Sequence, residues 1–183
     1  MLLSDKKTVH IHKYPYAEKR NPVLHRIIKE NAEKMDKGAL MTSWYCEHIK
    51  EFKLIGDYVY NLIINFQYTL YNPIVPLSEN YSLKLHHLWG QLYNKGYYQD
   101  SHCHLPFHWS FVYFVNTPRG SSPLVFTQNG KKIKAESGKL LIFPGNVAHH
   151  VPKNNCEGRS IIAGNFYYKV ERCPLMPTVV ICL

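Results

Sequence analysis

No stretch of this chain runs eighteen apolar residues without interruption. The best candidate, YVYNLIINFQYTLYNPIVPL, is broken by Asn, Gln and Pro, so no membrane span is expected. The first residues, MLLSDKKTVH, turn charged after three apolar positions and lack the pattern of a signal peptide. Cysteine is sparse and unpaired in pattern. Cys46, Cys103, Cys156, Cys173 and Cys182 are odd in number and contain no C-x-x-C, which argues against a disulfide framework and for a reducing, cytoplasmic setting. Cys182 stands second from the end and is not placed for prenylation. Acidic residues are also few, 13 against 22 basic ones, leaving a formal charge of +9. The excess is dispersed through segments such as DKKTVHIHKYPYAEKR and NGKKIK, so nucleic acid is not expected as the main partner. No linker and no internal repeat divides the 183 residues, and a single domain is expected.

What is abundant is apolar and aromatic. A hydrophobic share of 45% with 19% charge excludes disorder, and 14% aromatics, among them fourteen tyrosines, favour β-structure. Asn21-Pro22 reads as a helix start, with Leu24, Ile27, Ile28, Ala32 and Met35 at three-to-four spacing and Gly38 as the stop. Ile49, Phe52, Ile55, Val59, Leu62, Ile63 and Phe66 mark a second amphipathic helix. From about Lys84 the period changes. KLHHLWGQLY, HWSFVYFV, SPLVFTQ, KLLIFPG and RSIIAGNFYY read as strands, separated by turns at 94–96, 117–120, 129–130, 137–138 and 157–158. Short strands at this spacing indicate a sandwich or jelly roll. The expected layout is a helical N-terminal part (1–82), a jelly-roll core (83–170) and a C-terminal tail (171–183).

Three histidines and a cysteine then crowd into HCHLPFH, 102–108. If QDSHCHL is extended, His102 and His104 share a face and Cys103 takes the other. Such a pair offers two imidazoles to one metal; the alternative is a solvated, hydrogen-bonded pair. A third ligand is expected from a distant strand. KLLIFPGNVAHHV ends a buried strand at Pro144-Gly145 and then delivers His149 and His150, of which one must turn inward. Ten residues after His149, Arg159 opens another apolar strand. An Arg there is costly unless it meets an anion, and its planar fork suits a carboxylate; the bland alternative is a strand-end Arg reaching water.

These blocks resemble those of prolyl-hydroxylase-like 2-oxoglutarate/Fe(II)-dependent oxygenases of bacteria and marine phages. The resemblance rests on Gly96, Gln99, Asp100, His102 and His104, then Ser110, Val112 and Tyr113, then Gly138, Leu140, Phe143, Pro144 and His149, then Arg159 and Asn165. It covers roughly Leu85 to Tyr168. It implies a double-stranded β-helix, so that a mainly β fold is expected; the N-terminal helices, read from pattern alone, are expected to pack against it. It also implies Fe(II) at one mouth, 2-oxoglutarate chelating the iron, its far carboxylate on Arg159, and O2 as oxidant for a C–H bond. Two departures stand out. The family's usual second ligand is a carboxylate where this chain has His104, so the expected ligands are His102, His104 and His149, with Asp100 the alternative ligand or a partner fixing an imidazole tautomer. Alternatively, His102 and His149 bind the iron and His104 only lines the pocket. The position two after the Arg, often Ser, is Ile161, which leaves Tyr93, Tyr113 or Asn165 to assist the carboxylate.

Other residues are read more plainly: His108 as a strand-edge residue, His86-His87 as a pair with one inward member, Cys103, Trp89 and Trp109 as core. Besides an oxygenase, most simply a hydroxylase of an unidentified small molecule or protein side chain, two readings compete. One is a cupin-like three-His metalloenzyme without a keto acid; the other is a non-catalytic jelly-roll binding module.

Overall fold

The structure, a computed structural model, describes residues 9–34, 38–71 and 81–170. In chain order these form β1 (His10–Lys13), α1 (Ala17–Asn31), β2 (Glu33–Lys34), β3 (Leu40–Met41), α2 (Lys50–Tyr71), β4 (Tyr81–Tyr93) and β5 (Gln99–His102). There follow β6 (Trp109–Asn116), β7 (Leu124–Phe126), β8 (Lys132–Ile133), β9 (Lys139–Pro144), β10 (His149–Val151) and β11 (Arg159–Val170). Two antiparallel sheets result, one of seven strands in the order β1-β9-β6-β11-β4-β3-β2, the other of four in the order β5-β10-β7-β8. The expected tail at 171–183, with Cys173 and Cys182, lies outside the described residues, as does Met35.

The large sheet is covered on both faces, which explains why its central strands read as unbroken apolar runs. In β6 every residue from Ser110 to Val115 is buried, and strand alternation splits them between two cores. Phe111, Tyr113 and Val115 face the helices, joining Leu24 and Ile28 of α1 and Phe52, Ile55 and Ile63 of α2. Val112 and Phe114 face the small sheet, joining Leu124, Phe126, Leu141, Phe143, Ile161 and Ala163. Each fully buried Leu, Ile or Phe contributes about 1.5–3 kcal/mol. From His87 to Tyr93 in β4 and from Arg159 to Asn165 in β11 the odd-numbered positions take the inter-sheet face. A bulge opposite Asn165/Phe166 reverses the parity earlier in β4, where Leu83 and Leu85 join the helix-side core.

The N-terminal part differs from its sequence reading in two ways. Helix α1 begins at Ala17, ahead of Asn21-Pro22, and ends at Asn31, where the Ala32 N–H still bonds the Ile28 carbonyl. Asn21 is no cap: it is buried, donates to Ser137 Oγ at 2.8 Å and accepts from Tyr113 Oη at 2.6 Å. A tertiary use has displaced the local one. Gly38, expected to stop the helix, instead lies between β2 and β3 at φ +81°, where any Cβ would meet the Tyr98 carbonyl. The segment is also not purely helical, since β1 pairs with β9 and β3 with β4, extending the large sheet at both edges.

Candidate metal centre

Strand β10 lies between β5 and β7, and its register sets His149 directly opposite His102. β5 ends at His102, so His104 is held by a different device. Its N–H bonds the Gly145 carbonyl at 2.6 Å, while the Gly145 N–H bonds the His108 carbonyl at 3.0 Å. A side chain at 145 would strike the Phe107 carbonyl, so only glycine lets the Pro144-Gly145 turn clamp the 104–108 loop this closely. The three rings converge. Centroid separations are 5.0 Å for His102–His104, 4.5 Å for His102–His149 and 5.2 Å for His104–His149, with one nitrogen of each within 4.8 Å of the others.

Two of the three tautomers follow from their partners. His102 Nδ1 lies 2.8 Å from the Asp100 carbonyl and His149 Nδ1 lies 3.0 Å from the Val147 carbonyl. A carbonyl only accepts, so both Nδ1 atoms carry a proton and Nε2 is the nitrogen each ring can offer a metal. Burial, with the neighbouring imidazoles His149, His102 and His87 adding to it, pulls the His104 pKa down to about 3. Burial and His102 pull that of His149 to about 4. Both are therefore neutral near pH 7, the form a metal requires. Three imidazole nitrogens this close together would suit a first-row divalent ion, and as only three ligands they would leave it positions for others.

Arg159 begins β11, its Cα opposite Tyr93 of β4. Its side chain is 0% exposed, the guanidinium carbon 4.4 Å from the Tyr93 ring centroid and 5.5 Å from that of Phe114. Nε donates to the Ser122 carbonyl at 3.1 Å, but Nη1 and Nη2 are buried without a partner. Desolvation pushes its pKa below the ordinary value, yet an arginine stays protonated at neutral pH. Two unpaired donors on a buried cation are a strong reason for an anion to bind there. Tyr93 supports the same corner: its hydroxyl donates to Gln91 Oε1 at 2.9 Å, and burial raises its pKa.

A cavity of about 500 Å³ reaches from the imidazoles to Tyr93, whose ring packs against the Arg159 guanidinium; Arg159 itself stands behind that wall. The cavity is lined by His102, His104 and His149, by Trp89, Gln91 and Tyr93 from β4, and by Ile161 and Ala163 from β11, among others. Several expectations are corrected here. Tyr113 faces the helices, bonded to Asn21, because β6 alternation points it away from the small sheet. Asn165 is on the correct face but six residues along β11 from Arg159, roughly 20 Å at 3.3 Å per residue. It accepts from Ser110 Oγ at 2.8 Å and lies 3.4 Å from His87 Nδ1, so neither it nor Tyr113 can assist Arg159. Asp100 is exposed and orients His102 through its carbonyl; its carboxylate is not part of the imidazole group. Ser160 turns to the helix side, bonding His25 at 2.9 Å, and leaves Ile161 on the cavity wall.

Cys103, read as core, is exposed and lines the cavity, since regular alternation stops at His102. His150 points outward, 3.3 Å from Thr127 Oγ1, and His108 accepts from the Tyr168 N–H at 3.3 Å, away from the centre. Trp109 lies on the helix side against Phe66. Trp89 is buried as expected yet also forms cavity wall, and Trp44, which the sequence did not single out, packs 4.5 Å from it. His87 is the inward member of its pair, near Trp44 and Phe107. Its odd position in β4, shared with Trp89, Gln91 and Tyr93, was the available signal.

No family model matches the chain, and no curated protein matches it. Solved structures do. The viral collagen prolyl hydroxylase of Paramecium bursaria Chlorella virus-1, in its 2OG complex, superposes with a TM-score of 0.64 at 14% identity, covering 90% of this chain and 98% of that one. A Pseudomonas putida prolyl-4-hydroxylase gives 0.63 at 14% identity, with 91% and 95% covered. HygX from Streptomyces hygroscopicus, with nickel, 2-oxoglutarate and hygromycin B bound, gives 0.61 at 9%, with 88% and 84% covered. These likenesses establish the fold as a double-stranded β-helix. Among the described residues, no helix is long and apolar enough to cross a membrane.

Proposed function

We propose that the protein is an Fe(II)- and 2-oxoglutarate-dependent dioxygenase, most simply a hydroxylase, working in the cytoplasm on a small molecule or a protein side chain. One observation supports this reading: the three-imidazole cluster lines an inter-sheet cavity whose wall includes Tyr93, and against that Tyr93 ring the buried Arg159 packs with two unpaired nitrogens. A keto acid satisfies both ends at once, since one terminus chelates a metal and the other is a carboxylate for the guanidinium. HygX and the viral hydroxylase, which share the fold, each hold 2-oxoglutarate in their structures.

The residues divide the work. His102, His104 and His149 present ring nitrogens to the metal, and the Asp100 and Val147 carbonyls orient two of the rings. Arg159 takes the co-substrate's far carboxylate, with the Tyr93 hydroxyl beside it. Ile161, Ala163 and Val112 keep water from the chamber between them. Bound iron, with O2, supplies the oxidation of a substrate C–H bond coupled to loss of CO2 from the keto acid. Because His104 replaces a carboxylate, the protein contributes no negative charge to the metal, and the dianionic co-substrate meets a more positive centre. In a keto-acid-free cupin, Arg159 would have to bind the substrate itself or a neighbouring carboxylate, and among the described residues no carboxylate lies among its contacts.

The test is product formation. Fe(II)-loaded protein in air is expected to convert 2-oxoglutarate to succinate, followed by proton NMR, and His149→Ala is expected to abolish it. Conversion independent of iron, or none by the wild type in the presence of ascorbate, contradicts the assignment.

A further inference from the structure

Arg159 is not the only buried donor here without a partner. The Trp89 indole Nε1 is also buried and unpaired, although Trp89 is 3% exposed and lines the cavity. Among the described residues, the buried unpaired atoms at this site are all N–H donors, and no buried oxygen there lacks a partner. Leaving such a donor dry costs about 1–3 kcal/mol, which a ligand oxygen removes.

The keto acid's far carboxylate, held by Arg159, is badly placed to provide that oxygen. Trp89 stands opposite Ala163 in the β4–β11 register and Tyr93 opposite Arg159, four residues apart, or roughly 13 Å. The two carboxyl carbons of 2-oxoglutarate are only about 5 Å apart, four C–C bonds in zigzag, and its second end belongs to the metal. Trp89 lies beside the imidazoles, its ring 6.0 Å from His104 and 4.5 Å from Trp44, which is 39% exposed and also lines the cavity. His87 adds a further ring 5.4 Å from Trp44. Beyond the metal, then, the cavity offers one dry N–H set in an aromatic wall.

We propose, building on the oxygenase reading, that Trp89 determines substrate specificity. Its indole N–H donates to a carbonyl or carboxylate oxygen of the substrate, whose apolar body packs against Trp44. A cationic or donor-only group at that point leaves the indole unpaired and is rejected.

The experiment uses the full chain labelled with 15N-tryptophan and loaded with redox-inert Zn(II). Its three indole N–H resonances (Trp44, Trp89, Trp109) are assigned with single Trp→Phe variants. 2-Oxoglutarate is added first, and then benzoate, benzamide or benzylamine as probes of one shape and different polarity. The proposal expects the Trp89 resonance to stay in place with 2-oxoglutarate and to move downfield with benzoate, benzamide or both. Which of the two acts identifies a carboxylate or an amide as the source of the oxygen. Benzylamine is expected to leave it in place, and Trp89→Phe to weaken the effective probe about tenfold. Movement with 2-oxoglutarate alone, movement with benzylamine, or none with either acceptor probe overturns the proposal. 2-Oxoglutarate binding is read in the same titration from isothermal calorimetry, so its absence identifies a failure of the oxygenase reading instead. If Trp89→Phe does not fold, the Trp44→Phe and Trp109→Phe spectra assign the Trp89 resonance by elimination.

Discussion

Replacing Arg159 with Met separates ligand binding from folding, because the two respond in opposite directions. In the ligand-free protein the guanidinium is fully buried, with one hydrogen bond from Nε and two unpaired nitrogens. A cation so poorly satisfied is a net cost, and a Met of similar reach is expected to be neutral or stabilising by up to about 4 kcal/mol. With 2-oxoglutarate the balance reverses. Two charge-assisted hydrogen bonds at about 1.5–3 kcal/mol each correspond to a roughly 100- to 10,000-fold loss of affinity in Arg159→Met. Thermal unfolding of the Zn(II)-loaded protein reads both effects. At a ligand concentration about 100 times Kd the wild type gains about 2.7 kcal/mol, a rise in Tm of roughly 5–10 °C for a chain of this size. Arg159→Met is expected to start at the same Tm or higher and to show no rise. A variant that starts several kcal/mol lower, or that still responds like the wild type, refutes the reasoning.

Other substitutions test the parts separately. Tyr113→Phe removes a buried bond to Asn21 on the helix side; it is expected to lower stability by about 1–2 kcal/mol in urea titrations and to leave 2-oxoglutarate affinity intact. Gly145→Ala drives a methyl at the Phe107 carbonyl and shifts the loop holding His104, so Zn(II) affinity, by competition with a chromophoric chelator, is expected to fall about 10- to 100-fold. Cys103 is exposed on the cavity whereas burial raises the pKa of Cys46; peptide mapping after brief iodoacetamide treatment is expected to find Cys103 alkylated well before Cys46. Metal-free protein is expected to lose stability as pH falls. His104 and His149 titrate near 3 and 4 when folded against 6.5 when unfolded, so their contribution is complete above pH 6.5 and declines below it. Between 6.5 and 4 the slope in urea titrations is at most about 2.7 kcal/mol per pH unit, two groups at 1.36 each.

Much of this site could be read from the chain because its strands are long and doubly buried. β6, β9 and β11 declare themselves as apolar runs, and the turns between them carry Gly120, Gly130, Gly138 and Gly158 at positive φ. The grouping of His102, His104 and His149 was legible from the His-x-His spacing and the distant Pro-Gly turn, although the alternation expected to orient His104 ends at His102 and a loop contact with Gly145 holds it instead. What was not legible lies below the reach of periodicity. β2, β3 and β8 are two residues each, and β10 three. On a strand buried on both faces, pattern alone cannot tell the helix side from the inter-sheet side, which is why Tyr113 was assigned to the wrong one. Cys103 was misplaced for a related reason: the extended register ends one residue before it. Asn21 and Trp89 look locally like a cap and a core aromatic, and only tertiary contacts reveal their second roles.

The most direct test of a metal held by His102, His104 and His149 with a keto acid anchored on Arg159 is an anaerobic titration of the Fe(II)-loaded protein with 2-oxoglutarate, followed by visible absorption. A chelated keto acid on Fe(II) produces a metal-to-ligand charge-transfer band. The account predicts that band in the wild type, its loss in His149→Ala, and its appearance in Arg159→Met only at far higher 2-oxoglutarate. Tight iron with no band at any concentration contradicts it.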